Sequence, residues 1–254
     1  ILTAEDPVEY ELDGVGQVQI KDDIGYDFNF GKLHKKGEST SPELVSLIAL
    51  CEYERVFGYS KDVRLAMDKA AKWIEKFSIN LSNDRYAIPY GPYSIKEVMV
   101  YNGTSFACAA LGCYLGQTKI ENENLIAIYK GMNKYLLEVM SEDPTKKGKF
   151  WYYSDQSRKG LSDLAKNKID YYHQMQQVEV HSIAQNYFPV TEQNELIKLA
   201  IEHVLDFQKD NGEVPYVNDK VYFNNLVHVW GFCSVMSGFI AGYKMFQNET
   251  YLIA

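Results

Sequence analysis

The chain has 254 residues, 46% of them hydrophobic, with 26 Lys and Arg against 34 Asp and Glu and a formal net charge of −8. That length suffices to bury a sizeable core, and the acidic balance repels a polyphosphate backbone, which excludes nucleic acid as the expected partner. Four cysteines, Cys51, Cys108, Cys113 and Cys233, sit among apolar neighbours without C-x-x-C spacing, and so read as small core side chains of a reducing compartment rather than zinc ligands or disulfides.

In chain order, residues 1–24 read as a short β-like extension and residues 25–254 as one all-α domain. Within the latter, two kinds of helical segment alternate. One kind is apolar nearly all round: PELVSLIALCEYERVFG from Pro42, TSFACAALGCYLG from Thr104, KIDYYHQMQQVEVHSIAQ from Lys168 and LVHVWGFCSVMSGFIAGY from Leu226. The other carries charge on one face: KDVRLAMDKAAKWIEKF from Lys61, ENENLIAIYKGMNKYLLEVM from Glu121 and EQNELIKLAIEHVLDFQK from Glu192. A helix apolar on every side must be surrounded by protein, whereas a striped one lies at the surface. The alternation therefore predicts an inner layer wrapped by an outer one. The segment from Leu226 approaches bilayer length, but His228, two serines and three glycines interrupt it, so a buried core helix is expected and no membrane span. The cysteines favour the cytoplasm, while a first residue of Ile1 rather than Met leaves secretion open.

A repeat underlies the alternation. Each amphipathic helix is followed by a polar turn and an aromatic run, NLSNDRYAIPY, TKKGKFWYY and KDNGEVPY, whose last tyrosines are Tyr90, Tyr153 and Tyr216, each 63 residues after the one before. Twelve residues beyond Tyr90 lies Asn102, and twelve beyond Tyr216 lies His228; the longer middle loop reaches His173 after twenty. Units of 63 residues exceed those of the ~34 to 47 residue solenoids. Stacked helical hairpins with their inner helices round an axis make an α/α toroid, here an incomplete one of about three and a half hairpins. In that arrangement the starts of the inner helices share one rim, and self-association is one way to complete the ring.

The segment from Lys168 raises the question of chemistry. His173, Gln174, Gln177, His181 and Gln185 fall within roughly 120° of a helix circumference and form one polar stripe. Unsatisfied, each buried amide or imidazole costs about 1–3 kcal/mol, a cost removed if the stripe lines an open, ligand-binding centre. The expected catalytic set is His173 or Tyr172 as base or acid, His228 as its partner across the cavity, and Asp170 as the orienter of an imidazole. Asn102 would hydrogen-bond the substrate, with Tyr90, Trp151, Tyr153, Tyr216, Gln177 and His181 as further contacts, since flat rings with a hydroxyl suit sugars. Tyr86, Tyr152, Tyr222 and Phe223 lie in the same loops, and Lys146, Lys147, Lys149, Arg158, Lys159, Lys166 and Lys168 decorate the middle one as a draw for a carboxylated sugar. No His, Asp or Glu pair has convincing ligand spacing, so neither metal nor cofactor is expected.

The stretches GYDFNFG (Gly25 to Gly31), IPYGP with VYNGTSFACAAL, FWYY followed by IDYYH, and VPYVNDKVYFNNLVH (Val214 to His228) carry a resemblance. Taken in that order, they resemble the six-hairpin, glycosidase-like α/α toroid superfamily, nearest to the C-terminal domain of glucuronyl 5-epimerases and related proteins of bacterial polysaccharide clusters. Tyr171 stands where that family's Asp-Asn-Tyr-His has Asn. The resemblance implies a polysaccharide or oligosaccharide partner with uronic-acid units and epimerase- or lyase-type proton abstraction. A non-catalytic glycan-binding or scaffold toroid is the alternative. Separately, ILTAEDPVEYELDGVGQVQI is similar to the acidic segment of type II secretion and pilus-assembly ATPases, which would make Glu5, Asp6 and Glu9 its acidic residues and the chain a fusion with a fragment of such a gene. The chain has no G-x-x-x-x-G-K-[ST] loop, so no ATP binding is expected.

Overall fold

The computed structural model describes residues 2–5, 16–19, 26–29, 32–35, 41–90, 99–155, 167–218 and 229–253. Strand β1 (Leu2–Glu5) pairs in parallel with β2 (Gly16–Gln19), and β3 (Tyr26–Asn29) pairs antiparallel with β4 (Lys32–Lys35). Asp6 and Glu9 lie outside the described residues.

From Ser41 onward the described residues are mainly helical. The first hairpin joins α1 (Ser41–Phe57) to α2 (Lys61–Phe77), the second α3 (Tyr101–Thr118) to α4 (Glu123–Glu138), and the third α5 (Tyr171–Tyr187) to α6 (Thr191–Leu205). A seventh helix, α7 (Val229–Phe246), and a last turn, α8 (Thr250–Ile253), follow. The inner helices pack side by side in the order α1, α3, α5, α7, while α2, α4 and α6 lie on the outside of their own partners. This is an all-α arc of an α/α toroid, three hairpins and a further inner helix.

Burial follows the sequence pattern. Every residue of α3 from Tyr101 to Gly116 is buried, which its small side chains allow: Ala107, Cys108, Ala109, Ala110 and Cys113 are all fully enclosed. Gly116 lets the end of α3 touch the backbone of Tyr187, a spot a Cβ would overlap. By contrast α2 buries Met67, Ala71 and Ile74 and leaves its lysines in water. At the two ends of the arc, α1 exposes Val45, Tyr53, Val56 and Phe57, and α7 exposes Met236 and Ile240. Among the described residues no further inner helix packs on these two faces, so their apolar side chains meet solvent.

Specific polar ties set the hairpins. Arg64 on α2 donates to both carboxylate oxygens of Glu54 on α1 through Nε and Nη2, and Gln117 on α3 donates to the same carboxylate at 3.3 Å. Tyr187 donates to Glu52 at 2.6 Å and Tyr114 to Asp68 at 2.8 Å. After each outer helix the chain makes the tight turn that the repeat foretells: β5 (Ile79–Asn80) pairs with β6 (Tyr86–Ala87), Ser141 pairs with Phe150, and Lys209 donates its amide to Glu213. Among the described residues no helix is long and apolar enough to cross a membrane.

Candidate active site at the inner-helix rim

The segments leading into the inner helices are stitched together by single antiparallel bridges. Val100 pairs with Ser154, Tyr152 with Ile169, and Asp170 with Val217. Amides reinforce the ladder: Asp155 donates to Met99, Tyr153 to Lys168, and Tyr171 to Tyr216. The starts of α3 and α5 and the approach to α7 therefore share one rim, because backbone groups that cannot join a helix must be satisfied by their neighbours.

The repeat tyrosines converge on this rim. The Tyr153 hydroxyl lies within hydrogen-bonding reach of Tyr90, and burial, reinforced by Tyr90 and Asp170, drives its phenol far above its ordinary value. Burial and the nearby Asp170 carboxylate likewise push the Tyr216 phenol up. The ammonium of Lys168 sits 4.6 Å from the centre of the Tyr153 ring and 5.2 Å from that of Tyr216. Equal spacing along the chain has become a common cluster in space.

Asp170 is the hub of this cluster. It is the N-cap of α5, where Oδ1 accepts the His173 amide at 3.1 Å, while Oδ2 lies 2.7 Å from His173 Nδ1 and 3.0 Å from Lys168 Nζ. Burial pushes its carboxyl up, but the His173 bonds and the Lys168 charge outweigh burial and hold it below the usual carboxylate range. The His173 ring meets the Tyr153 ring edge to face at 5.7 Å, and the Tyr172 ring lies 5.1 Å from that of Tyr216. Asn102, one residue into α3, has its Oδ1 buried without a hydrogen-bond partner among the described residues. His228, Tyr222, Phe223, Arg158, Lys159 and Lys166 lie outside the described residues.

Tyr172 is held from the other side by α7. Gly231 presses its backbone on the Tyr172 ring, so a Cβ there would overlap ring atoms. Gly231→Ala is therefore expected to displace Tyr172 and cost about 1–3 kcal/mol, measured by urea unfolding, with a changed near-ultraviolet circular dichroism spectrum reporting the moved ring.

The polar stripe does not line an open centre as a whole, a correction to its sequence reading. Gln174 donates to Ala200 of α6 at 3.0 Å and accepts the Trp151 amide; Gln177 accepts from Ser105 of α3 at 2.7 Å; Gln185 accepts the Val190 amide at 3.0 Å. His181 is fully enclosed, bonded through Nδ1 to Gln193 at 2.9 Å, and burial pulls its pKa down to about 3, which keeps it neutral. Gln177 and His181, expected as sugar contacts, thus hold helices together. Trp151 is corrected in the same way: it is 2% exposed, with its indole N–H spent on the Leu136 carbonyl at 2.8 Å. Sequence spacing found the stripe but not its direction, since α3 and α6 offer it partners.

The face of α5 turned away from those helices carries Gln176, Glu179, Ile183 and Asn186, all partly or fully exposed. Ile183 and Asn186 line both a cleft of about 760 Å³ beside Glu52, Arg55, Gln117 and Lys119, and one of about 380 Å³ shared with Ser237 and Lys244 of α7. Glu179 borders the smaller cleft, and burial raises its pKa above the ordinary value. Sequence reading missed it, although a helical angle measured from the buried positions would have pointed there. Among the described residues no three His, Cys, Asp or Glu side chains gather as metal ligands.

Nested hairpins whose inner helices open on a common rim form an arc of an α/α toroid, and solved structures share this fold. A GH76 α-mannanase from Bacteroides thetaiotaomicron superposes with a TM-score of 0.63 at 9% identity, over 84% of this chain and 58% of that one. A cellobiose 2-epimerase from Bacillus thermoamylovorans gives 0.61 at 15% identity, over 87% and 59%. A D-mannose isomerase gives 0.55 at 11% identity, over 87% and 59%. The chain thus spans less than two thirds of the length of each. No family model and no curated protein sequence matches it.

Proposed function

We propose that the chain is a carbohydrate-active protein which moves a proton at a sugar carbon beside a carbonyl or carboxylate group, in epimerase- or lyase-type chemistry on an oligosaccharide or polysaccharide with uronic-acid units. The observation that carries this reading is the Asp170–His173 pair, buried at the rim of the toroid with 2.7 Å between Oδ2 and Nδ1. Two of the similar structures are a sugar epimerase and a sugar isomerase, which supports the same chemistry.

With the Asp170 carboxylate accepting Nδ1–H, the His173 tautomer is fixed and Nε2 becomes the basic atom. Nε2 takes the proton of the activated C–H bond, and the electron pair moves into the adjacent carbonyl or carboxylate as an enolate. Return of a proton from the opposite face, by Tyr172 or His228, gives the epimer. Expulsion of a β-substituent gives instead a product with a C=C bond. Asn102 would orient a hydroxyl, and the Tyr90, Tyr153 and Tyr216 edges would flank the ring. Hydrolysis needs two carboxylates set across the bond, about 5–9.5 Å apart. Asp170, bound to His173 and Lys168, is ill suited to act as one of them.

The test is incubation with neutral and uronic-acid oligosaccharides in D2O, followed by NMR. Both epimerase and lyase chemistry replace a carbon-bound proton by deuterium or remove it. Hydrolysis releases product with no such label, and line broadening without any exchange or product identifies a binding domain and overturns the enzymatic reading.

A further inference from the structure

We infer that Lys168 is a positioning residue of this site: clamped between the Tyr153 and Tyr216 rings, its ammonium fixes the Asp170 carboxylate that in turn fixes the His173 ring. The inference rests on the reading of His173 as the proton-transfer group, and it adds a component that the helical segments do not reveal. Lys168 lies outside α5, in the extended piece that bridges Tyr152 and Val217.

Extended backbone sends residues i and i+2 to the same side. Lys168 and Asp170 therefore point together into the rim, while Ile169 between them turns to the core, 8% exposed. The geometry closes on one oxygen: Asp170 Oδ2 lies 3.0 Å from Lys168 Nζ and 2.7 Å from His173 Nδ1. The Asp170 side chain is 1% exposed and that of Lys168 is 27% exposed, so the cation forms the lid of a buried carboxylate. Stripping one partner from a buried charge costs far more than the pair itself contributes. Tyr153 and Tyr216 hold the cation through their ring faces at 4.6 and 5.2 Å.

Among the described residues, the charged and titratable groups facing Asp170 are Lys168 and His173 from its own segment, Tyr153 from the middle loop and Tyr216 from the last loop. Of these, only Lys168 brings a permanent positive charge at neutral pH. Without it only the His173 contacts oppose burial, so the carboxyl takes up a proton at higher pH and its hold on Nδ1 weakens.

The experiment compares wild type with K168M, which keeps the stem and removes the charge, and K168R, which keeps the charge. The readout is the ¹⁵N NMR signature of the His173 ring in labelled protein, assigned by its loss in H173Q. Wild type and K168R are expected to show one tautomer, with the proton on Nδ1; K168M is expected to show a mixture of tautomers. On a substrate found by deuterium exchange, kcat of K168M falls about 10- to 100-fold, as for other outer partners of a reactive group, with KM changed less. A K168M variant that does not fold is replaced by K168Q, read in the same way. An unchanged single tautomer in the folded, charge-free variant overturns the inference. The tautomer readout needs no substrate, so failure of every sugar to exchange defeats the proposed function and leaves this test standing.

Discussion

His173→Ala is expected to slow deuterium exchange on the responsive sugar by about 10²- to 10⁴-fold, the range general acid–base groups supply. The reason is local. Nδ1 of His173 lies 2.7 Å from Asp170 Oδ2, which under the proposed function leaves Nε2 to take the substrate proton. Asp170→Asn should reproduce much of the loss with the imidazole still present, since an amide can donate to Nδ1 and stabilise the opposite tautomer. The single and double variants with His228→Ala separate two mechanisms. If two bases work from opposite faces, each single variant keeps exchange with one epimer only, and the double variant loses both. Undiminished turnover in the double variant defeats the assignment of both histidines. Chemical denaturation of each variant at neutral pH completes the comparison, because only folded protein tests chemistry.

Acidification is expected to remove a large part of the protein's stability between pH 6.5 and 4, through two histidines that face no substrate. His181 is enclosed between α5 and α6, and His203 lies among Phe150, Tyr171 and Phe207 with ring centres 4.7 to 6.0 Å apart. Burial, the largest influence on each, pulls their pKa values down to about 3 and about 4. Both are depressed below an unfolded value of about 6.5. The stability they represent is therefore fully present above pH 6.5 and is lost as pH falls toward the folded values. By linkage each forfeits about 3 kcal/mol at pH 4, and together they approach the ~5–15 kcal/mol that holds a typical domain together. The carboxylates of Glu52, Glu54 and Asp170, held below their usual range by paired partners, act in the same direction.

His203→Phe isolates the histidine share. It has a polar contact to the Lys147 backbone, and its ring is packed against Phe150 and Phe207, so a phenyl ring fits the aromatic part of the site. Urea unfolding of this variant should show stability equal to or above wild type at pH 7, and a loss on acidification smaller by about 3 kcal/mol. An unchanged pH dependence would show that His203 charges as readily in the native state as in the unfolded one.

The amino-acid sequence by itself determined the layer structure, because continuous apolarity and one-faced apolarity have only one arrangement that removes both from water. It also determined the rim: tyrosines spaced by 63 residues in equivalent loops must meet if the hairpins are equivalent, and Tyr153 and Tyr216 do flank Lys168 and Asp170, with Tyr90 beside Tyr153. The helical angle of His173, Gln177 and His181 was legible too. Which neighbour that face meets was not, since amides satisfy themselves as well on Ser105, Ala200 and Gln193 as on a sugar, and only the packing of α3 and α6 decides between them. Trp151 was misjudged for the same reason, its indole donor having found a carbonyl on α4. Lys168 was visible only as one charge among several; its pairing with Asp170 depends on three strand-like bridges between segments up to 54 residues apart, and contacts of that range exist only once the chain has closed on itself.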